Sequence, residues 1–243
     1  MHALIVAAGF GSRLRAVSPS KPLTPVNGVP LIERVIRAAK DGGATAFTIV
    51  TGHEAALVED FARHAVDRLA VPIVTVRTAD WTLPNGHSVV SGADVIGARR
   101  HLLMMADHLV DPALIATVIA APDAALVLGV DRRLDNPLVD LDDVTRVRSE
   151  AGRIVAIGKH LPDYDAFDTG VFAVDARFHD ALRGSIARGG AGSISAGVEA
   201  LAAHGKAMTV DIGDRWWLDV DDPRALEQAE AALAMNDRYA YAA

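Results

Sequence analysis

Short apolar runs and helical repeats alternate along the first half of the chain. Ala3 to Ala8 is a continuous apolar run stopped by Gly9, the pattern of a strand buried on both faces of a parallel sheet. From Pro30, Leu31, Ile32, Val35, Ile36 and Ala39 recur with helical spacing until Asp41-Gly42-Gly43 ends the segment. Ala46 to Thr51 predicts a second strand. Glu54 to Leu69, with Leu57, Val58, Phe61 and Val66 on one side, predicts a helix, and Val71 to Arg77 a third strand. After a loop at Trp81 to Asn85 come a helix from Ser88 to Ile96 and a buried strand from Leu102 to Ala106. Asp111 as cap and Pro112 at the first position open the helix that carries Leu114 to Ala121. Ala125 to Val130 is the next strand. This β-α-β alternation predicts an α/β fold with a doubly wound, mostly parallel mixed sheet flanked by helices.

Beyond residue 130 the pattern changes. Thr145 to Arg148 and Arg153 to Ile157 flank a Ser-Glu-Ala-Gly turn and predict a hairpin, a small elaboration on the substrate side. Asp168 to Val174 reads as a strand, two Gly-punctuated helices run to His204, and Ala207 to Ile212 is a late strand. Pro223 to Met235 predicts a closing amphipathic helix. The expected organisation is a single domain over 1–243 in two parts, 1–130 and 131–243, the second carrying the closing helix.

Composition narrows the function. With 51% apolar residues in 243, the chain can bury a sizeable core. A formal charge of -7 argues against nucleic acid or an anionic membrane as partner, since both reward clustered Lys and Arg. The absence of cysteine excludes thiolate catalysis and fits a reducing compartment, so a cytoplasmic location is expected. The apolar N-terminus lacks a basic leader and is far shorter than a membrane span of ~20 residues. It reads as a strand, and no membrane insertion is expected. The histidines lack the paired spacing of zinc sites and read as surface or packing residues.

Candidate chemistry begins where the first strand stops. Ala7-Ala8-Gly9-Phe10-Gly11-Ser12-Arg13-Leu14 precedes Lys21-Pro22-Leu23. Two glycines after a strand let the backbone turn its N–H groups inward as a phosphate cradle, with Arg13 and Lys21 supplying charge. Spacing alone is equally that of an ordinary glycine turn. Leu14 stands where a dinucleotide fingerprint needs its third glycine, and no Walker ending follows. Asn85-Gly86 is either a plain turn or, with Ser88, a base contact. Asp107 places a carboxylate at the carboxyl end of a buried strand, the edge where open α/β sheets bind ligands. Near the C-terminus Asp222 and Pro223 account for the helix start, which leaves Asp219 without a structural role; Asp221 reads as a solvated loop acid and a second choice. Magnesium is typically held by one or two carboxylates plus phosphates, so Asp107 and Asp219 supply the number the chemistry needs. Lys159 follows a strand and Asp168 begins one, either as ordinary strand-end polar groups or as contacts to an acceptor.

Gly9-x-Gly11-x-Arg13-Leu14 with Lys21-Pro22-Leu23 resembles the signature of nucleotidylyltransferases that make nucleotide-activated sugars and alcohols. The resemblance implies a Rossmann-like nucleotidyltransferase fold in which Ala7, Ala8, Gly9 and Gly11 wrap the triphosphate while Arg13 and Lys21 neutralise it. It implies that Asn85, Gly86 and Ser88 read the base and that Asp107 and Asp219 hold Mg²⁺. Lys159 would bind the acceptor's phosphate. Asn85-Gly86-His87-Ser88, Asp107-His108, Gly158-Lys159, Asp168-Thr169-Gly170 and Leu218-Asp219-Val220-Asp221 are most similar to CTP:inositol-1-phosphate cytidylyltransferases. That subfamily often has an aromatic residue where His87 stands, and its members are frequently fused to a membrane phosphatidyltransferase. The expected reaction joins CMP from CTP to a small phosphorylated acceptor, inositol 1-phosphate favoured, with any lipid-forming step left to another protein. A sugar 1-phosphate, phosphocholine, glycerol phosphate or phosphonate acceptor is the alternative, and a non-catalytic NTP sensor the second. Truncating Lys21 is expected to damage turnover more than folding.

Overall fold

The computed structural model describes residues 1–235; the stretch 236–243 of the expected acceptor-side part lies outside the described residues. Strand β1 (His2–Ala7) leads through two short 3-10 turns, Ser12–Leu14 and Lys21–Leu23, into a small ribbon of β2 (Pro25–Val26) and β3 (Val29–Pro30). Next come α1 (Leu31–Asp41), β4 (Ala46–Thr51), α2 (Ala55–Leu69), β5 (Ile73–Arg77), α3 (Asn85–Ile96), β6 (His101–Met105), β7 (His108–Val110) and α4 (Pro112–Ala120). The later chain forms β8 (Leu126–Asp131), β9 (Arg146–Glu150), β10 (Arg153–Gly158), β11 (Ala166–Val174), α5 (Ala176–Ala187), α6 (Ile194–Ala202), β12 (Ala207–Asp211), β13 (Trp217–Asp219) and α7 (Pro223–Ala234).

The main sheet is nine-stranded in the order β5-β4-β1-β6-β11-β8-β12-β10-β9. Pairings among β5, β4, β1 and β6 are parallel, as is β8 with β12. β11 enters antiparallel between β6 and β8, and the hairpin β9–β10 closes the far edge. Helices pack on both faces. One apolar cluster joins α1, α2, α4 and α7 to the sheet through residues such as Ile32, Val58, Ile115 and Leu233. The other joins α3, α5 and α6 through Val89, Phe178 and Val198. The doubly wound, mostly parallel mixed sheet with its hairpin is therefore the fold.

Two elements differ from expectation. On α2 the buried strip is Ala55, Val58, Ala62, Ala65 and Leu69, while Leu57 is 41% exposed. Small alanines let this helix sit close to the sheet, and a larger exposed leucine misleads a reading based on bulk. Helix α3 starts at Asn85 instead of Ser88, because Pro84 sets the extended entry and the turn continues straight into the helix.

His101 at the start of β6 and His179 on α5 are both buried, with rings stacked 5.0 Å apart. His101 Nδ1 lies 2.9 Å from the Arg99 carbonyl and so carries the hydrogen; its Nε2 then accepts from His179 Nε2 at 3.2 Å. Both rings are neutral packing groups. Burial lowers the pKa of each, to about 3 for His179. Below 6.5 the unfolded chain takes up protons that the folded pair refuses, so stability is lost as pH falls. Between pH 6.5 and 5 the loss from His179 should be roughly 2 kcal/mol, about 4–8 °C in Tm for a chain of this size. His179→Leu should flatten Tm against pH over this interval. Equal slopes for variant and parent would refute the assignment.

Candidate functional site

Gly11 fixes the start of the site. Its φ is +60°, and a Cβ there would lie 2.4 Å from Lys21 Cβ, so glycine is needed for the loop to cross the lysine stem. Lys21, only 9% exposed, is thereby directed inward, where Nζ donates to Asp107 Oδ2 at 2.5 Å and to Asp221 Oδ1. Burial pulls this ammonium down, but the charges of Asp107, Asp221 and Asp219 outweigh it and raise its pKa. Arg13 donates to Asp221 Oδ2 and Asp143 Oδ2, both at 2.7 Å, and Lys159 pairs with Asp143.

The two carboxylates expected to hold a metal meet through a pairing absent from the sequence expectation. β7 and β13 form a two-stranded antiparallel ribbon in which Asp219 faces His108, and Val220 N–H donates to Asp107 O at 3.0 Å. The ribbon is anchored from below. Trp217 Nε1 donates to the fully buried Asp131 at 2.9 Å, and Arg133, paired with Asp131, donates onward to the Asp214 and Arg215 carbonyls. Asp131 thus positions Asp219 from a distance.

One oxygen each of Asp107 and Asp219, Oδ1 in both, is buried without a hydrogen-bond partner. Ligand atoms of Asp107, His108 and Asp219 lie within 4.8 Å of one another. Orphaned oxygens on two neighbouring carboxylates fit a cation, because without one their desolvation is uncompensated. Burial opposes the Asp107 charge, yet Lys21 and His108 hold its pKa low. Burial would likewise lower His108, but Asp219 and Asp107 push it up to about 10.

Asp221 corrects the expectation of a solvated acid. It bonds both Arg13 and Lys21, and burial together with Asp219 raises its pKa against the pull of Lys21. Asp168 makes the turn contact, its Oδ1 accepting from Gly170 N–H at 2.7 Å; the residue also lines the larger cleft, and burial pushes its pKa up to about 6. Asp143 was not singled out at all. It sits in a loop crowded with acids, and only the fold brings it between Arg13 and Lys159, which hold its pKa far below the usual carboxylate range.

Two clefts adjoin here. The smaller, about 340 Å³, is lined by Ala7, Ala8, Gly9, Gly11, Lys21 and Ser88 among others. The larger, about 450 Å³, is lined by Lys159, Asp168, His108, Asp219 and the loop carrying Asp143. Arg13, Asn85, Met105, Asp107 and Asp221 belong to both. Asn85 lies in the first turn of α3, where its Oδ1 also accepts from Ile194 N–H at 2.9 Å. Gly86 has a packing reason for being glycine: a Cβ would lie 2.4 Å from the Gly192 carbonyl oxygen. Gly86→Ala should therefore cost roughly 1–3 kcal/mol of stability, visible as a lowered Tm. An unchanged Tm with weakened nucleotide binding would instead support the base-contact role.

The chain matches the family model described as MobA-like NTP transferase domain over residues 3–160. It is 34% identical over 232 residues to a bifunctional IPC transferase and DIPP synthase of Rubrobacter xylanophilus, covering 94% of this chain and 51% of that protein. It is 27% identical to the protein of the same description from Aquifex aeolicus, again covering 51% of it, so the chain spans about half the length of these curated relatives. Its fold superposes on the inositol-1-phosphate CTP transferase from T. maritima with a TM-score of 0.84 at 23% identity, covering 95% of this chain and 94% of that one. A UDP-glucose pyrophosphorylase from Acinetobacter superposes with a TM-score of 0.77 at 19% identity, covering 96% and 93%.

Proposed function

The chain belongs to the MobA-like NTP transferase domain family, and from that premise we propose that it transfers CMP from CTP to a small phosphorylated polyol, inositol 1-phosphate foremost, forming a CDP-alcohol. The observation that carries the reading is the junction of the two clefts at Arg13, Asp107 and Asp221. A donor in the glycine-loop cleft and an acceptor beside Lys159 would place their phosphates against one another at that junction. The curated relatives' names support the choice of substrate pair.

In this reaction an oxygen of the acceptor's phosphate forms a bond to the α-phosphorus, the bond from α-phosphorus to the bridging oxygen breaks, and pyrophosphate leaves. A phosphomonoester has a second pKa near ~6 and is mostly dianionic at neutral pH, so a strong general base is unnecessary. The side chains stabilise charge. Lys21 and Arg13 act on the donor phosphates with the loop N–H groups, and Lys159 holds the acceptor phosphate. In each case phosphate oxygens share or replace the carboxylates that pair with these cations, Asp143 above all. Asp107 and Asp219 would hold Mg²⁺, which when bound neutralises charge on the α-phosphate and the leaving group. The nucleotide part is assigned to 1–130 and the acceptor part to 131–243. No helix among the described residues is long and apolar enough to cross a membrane. We assign the chain a cytoplasmic site of action, with the CDP-alcohol passed to a membrane phosphatidyltransferase.

The test is pyrophosphate release with Mg²⁺, offering CTP, UTP, GTP and ATP against inositol 1-phosphate, glucose 1-phosphate, phosphocholine, glycerol phosphate and 2-aminoethylphosphonate. Release confined to CTP with inositol 1-phosphate is the expected result. Release with a different pair moves the substrate and keeps the chemistry, and silence with every pair removes the catalytic reading in favour of an NTP sensor.

A further inference from the structure

We propose that His108 is a direct nitrogen ligand of the cation held by Asp107 and Asp219, and that the site therefore favours first-row transition-metal cations, manganese among them, over magnesium. This rests on the cation site assigned under the proposed function. Two carboxylates suffice for Mg²⁺, which takes oxygen donors; an imidazole added to them moves preference towards metals that accept nitrogen.

The ring's orientation carries the inference. His108 Nδ1 lies 3.0 Å from the Thr169 carbonyl, which can only accept, so Nδ1 keeps a hydrogen and Nε2 is the nitrogen left to a metal. Nε2 is turned the other way, 3.4 Å from Asp219 Oδ2 and 3.8 Å from Asp107 Oδ1. A ligating imidazole is arranged in this manner, one nitrogen on the metal and the other donating to a backbone carbonyl that fixes its pose. The fold supports that pose at several points. Thr169 is held by its own hydroxyl, which donates to the Gly129 carbonyl at 2.8 Å. Gly170 has φ +74°, and a Cβ there would lie 2.2 Å from His108 Nδ1, so this glycine makes the space the ring occupies. Asp107 Oδ1 and Asp219 Oδ2, the carboxylate oxygens beside Nε2, complete the donor set, and Asp107 Oδ1 is itself buried without a hydrogen-bond partner. The competing arrangement is an imidazolium that serves the two carboxylates as a fixed charge and never binds metal.

Pulsed electron paramagnetic resonance separates the two on the full-length protein. The chain is stripped of metal, given one equivalent of Mn²⁺ with or without CTP, and examined for electron spin echo envelope modulation. The expected result is the modulation of a directly bound ¹⁴N nucleus, replaced by the ¹⁵N pattern when histidine alone is labelled with ¹⁵N. This needs no variant. In His108→Gln the modulation should vanish, and Mn²⁺ affinity should fall roughly 10–100-fold, with a smaller change for Mg²⁺. Bound Mn²⁺ without nitrogen coupling in the parent chain overturns the assignment and leaves the two-carboxylate site standing. Failure to bind Mn²⁺ under either condition removes the cation site and the His108 ligand together.

Discussion

Lys21→Met is expected to lower kcat/KM for nucleotidyl transfer by roughly 10³, the size of effect seen when one preorganised donor to a developing charge is removed. Met keeps the stem that Gly11 makes room for and removes only the charge. Folding is also affected, though less than turnover. Lys21 bridges Asp107 and Asp221, whose side chains are 23% and 26% exposed, so its loss leaves two partly buried carboxylates facing one another. Complete burial would make such a loss cost 3–5 kcal/mol; with this much solvent access about 1–3 kcal/mol is the reasonable range. Thermal melts in EDTA should therefore show a fall of several degrees, and divalent cation with CTP should restore part of it while turnover stays low. A variant that melts like the parent in EDTA would deny Lys21 its bridging role. One that retains most of the turnover would deny it the catalytic one.

The order of elements was readable because most main-sheet strands are short apolar runs and several elements carry their own stop or cap, as at Gly9 and at Asp111-Pro112, where Asp111 accepts from Ala113 N–H. The glycine loop, Lys21, Asp107 and Asp219 were readable as polar groups at strand ends that secondary structure does not require. What escaped was set by non-local register. β7 and β13 are each three residues long, too short to show periodicity, and only their pairing explains why Asp107 and Asp219 lie near each other across the sequence. Asp143 escaped because one acid among Asp140, Asp142 and Asp143 has no local mark; its partners Arg13 and Lys159 come from other elements. Asp221 was misjudged for the same reason. Gly86 carries a packing reason that the sequence does not show: beside the base contact the resemblance implies, the Gly192 carbonyl leaves no room for a Cβ.

Asp219→Asn should separate stability from function more sharply than any other change at the site. The Asp219 charge supports Lys21 and His108 and opposes Asp221 and Asp168, so the favourable and unfavourable interactions oppose one another. Asn retains the shape and the strand pairing with His108. In EDTA the variant should therefore melt within about 3 °C of the parent, equivalent to roughly 1 kcal/mol. Ligand linkage then reveals the difference. A parent saturated at 100 times its dissociation constant gains about 2.7 kcal/mol, whereas a site with one carboxylate fewer binds the cation more weakly and gains little. Divalent cation with CTP should raise the Tm of the parent by several degrees and that of Asp219→Asn hardly at all. Turnover should fall by about 10³, since the charge on the leaving pyrophosphate loses its neutralising ion. If the variant keeps both the cation-induced rise and its turnover, Asp219 is not a ligand, and Asp221, which lies with Asp107 at the cleft junction, becomes the carboxylate to test.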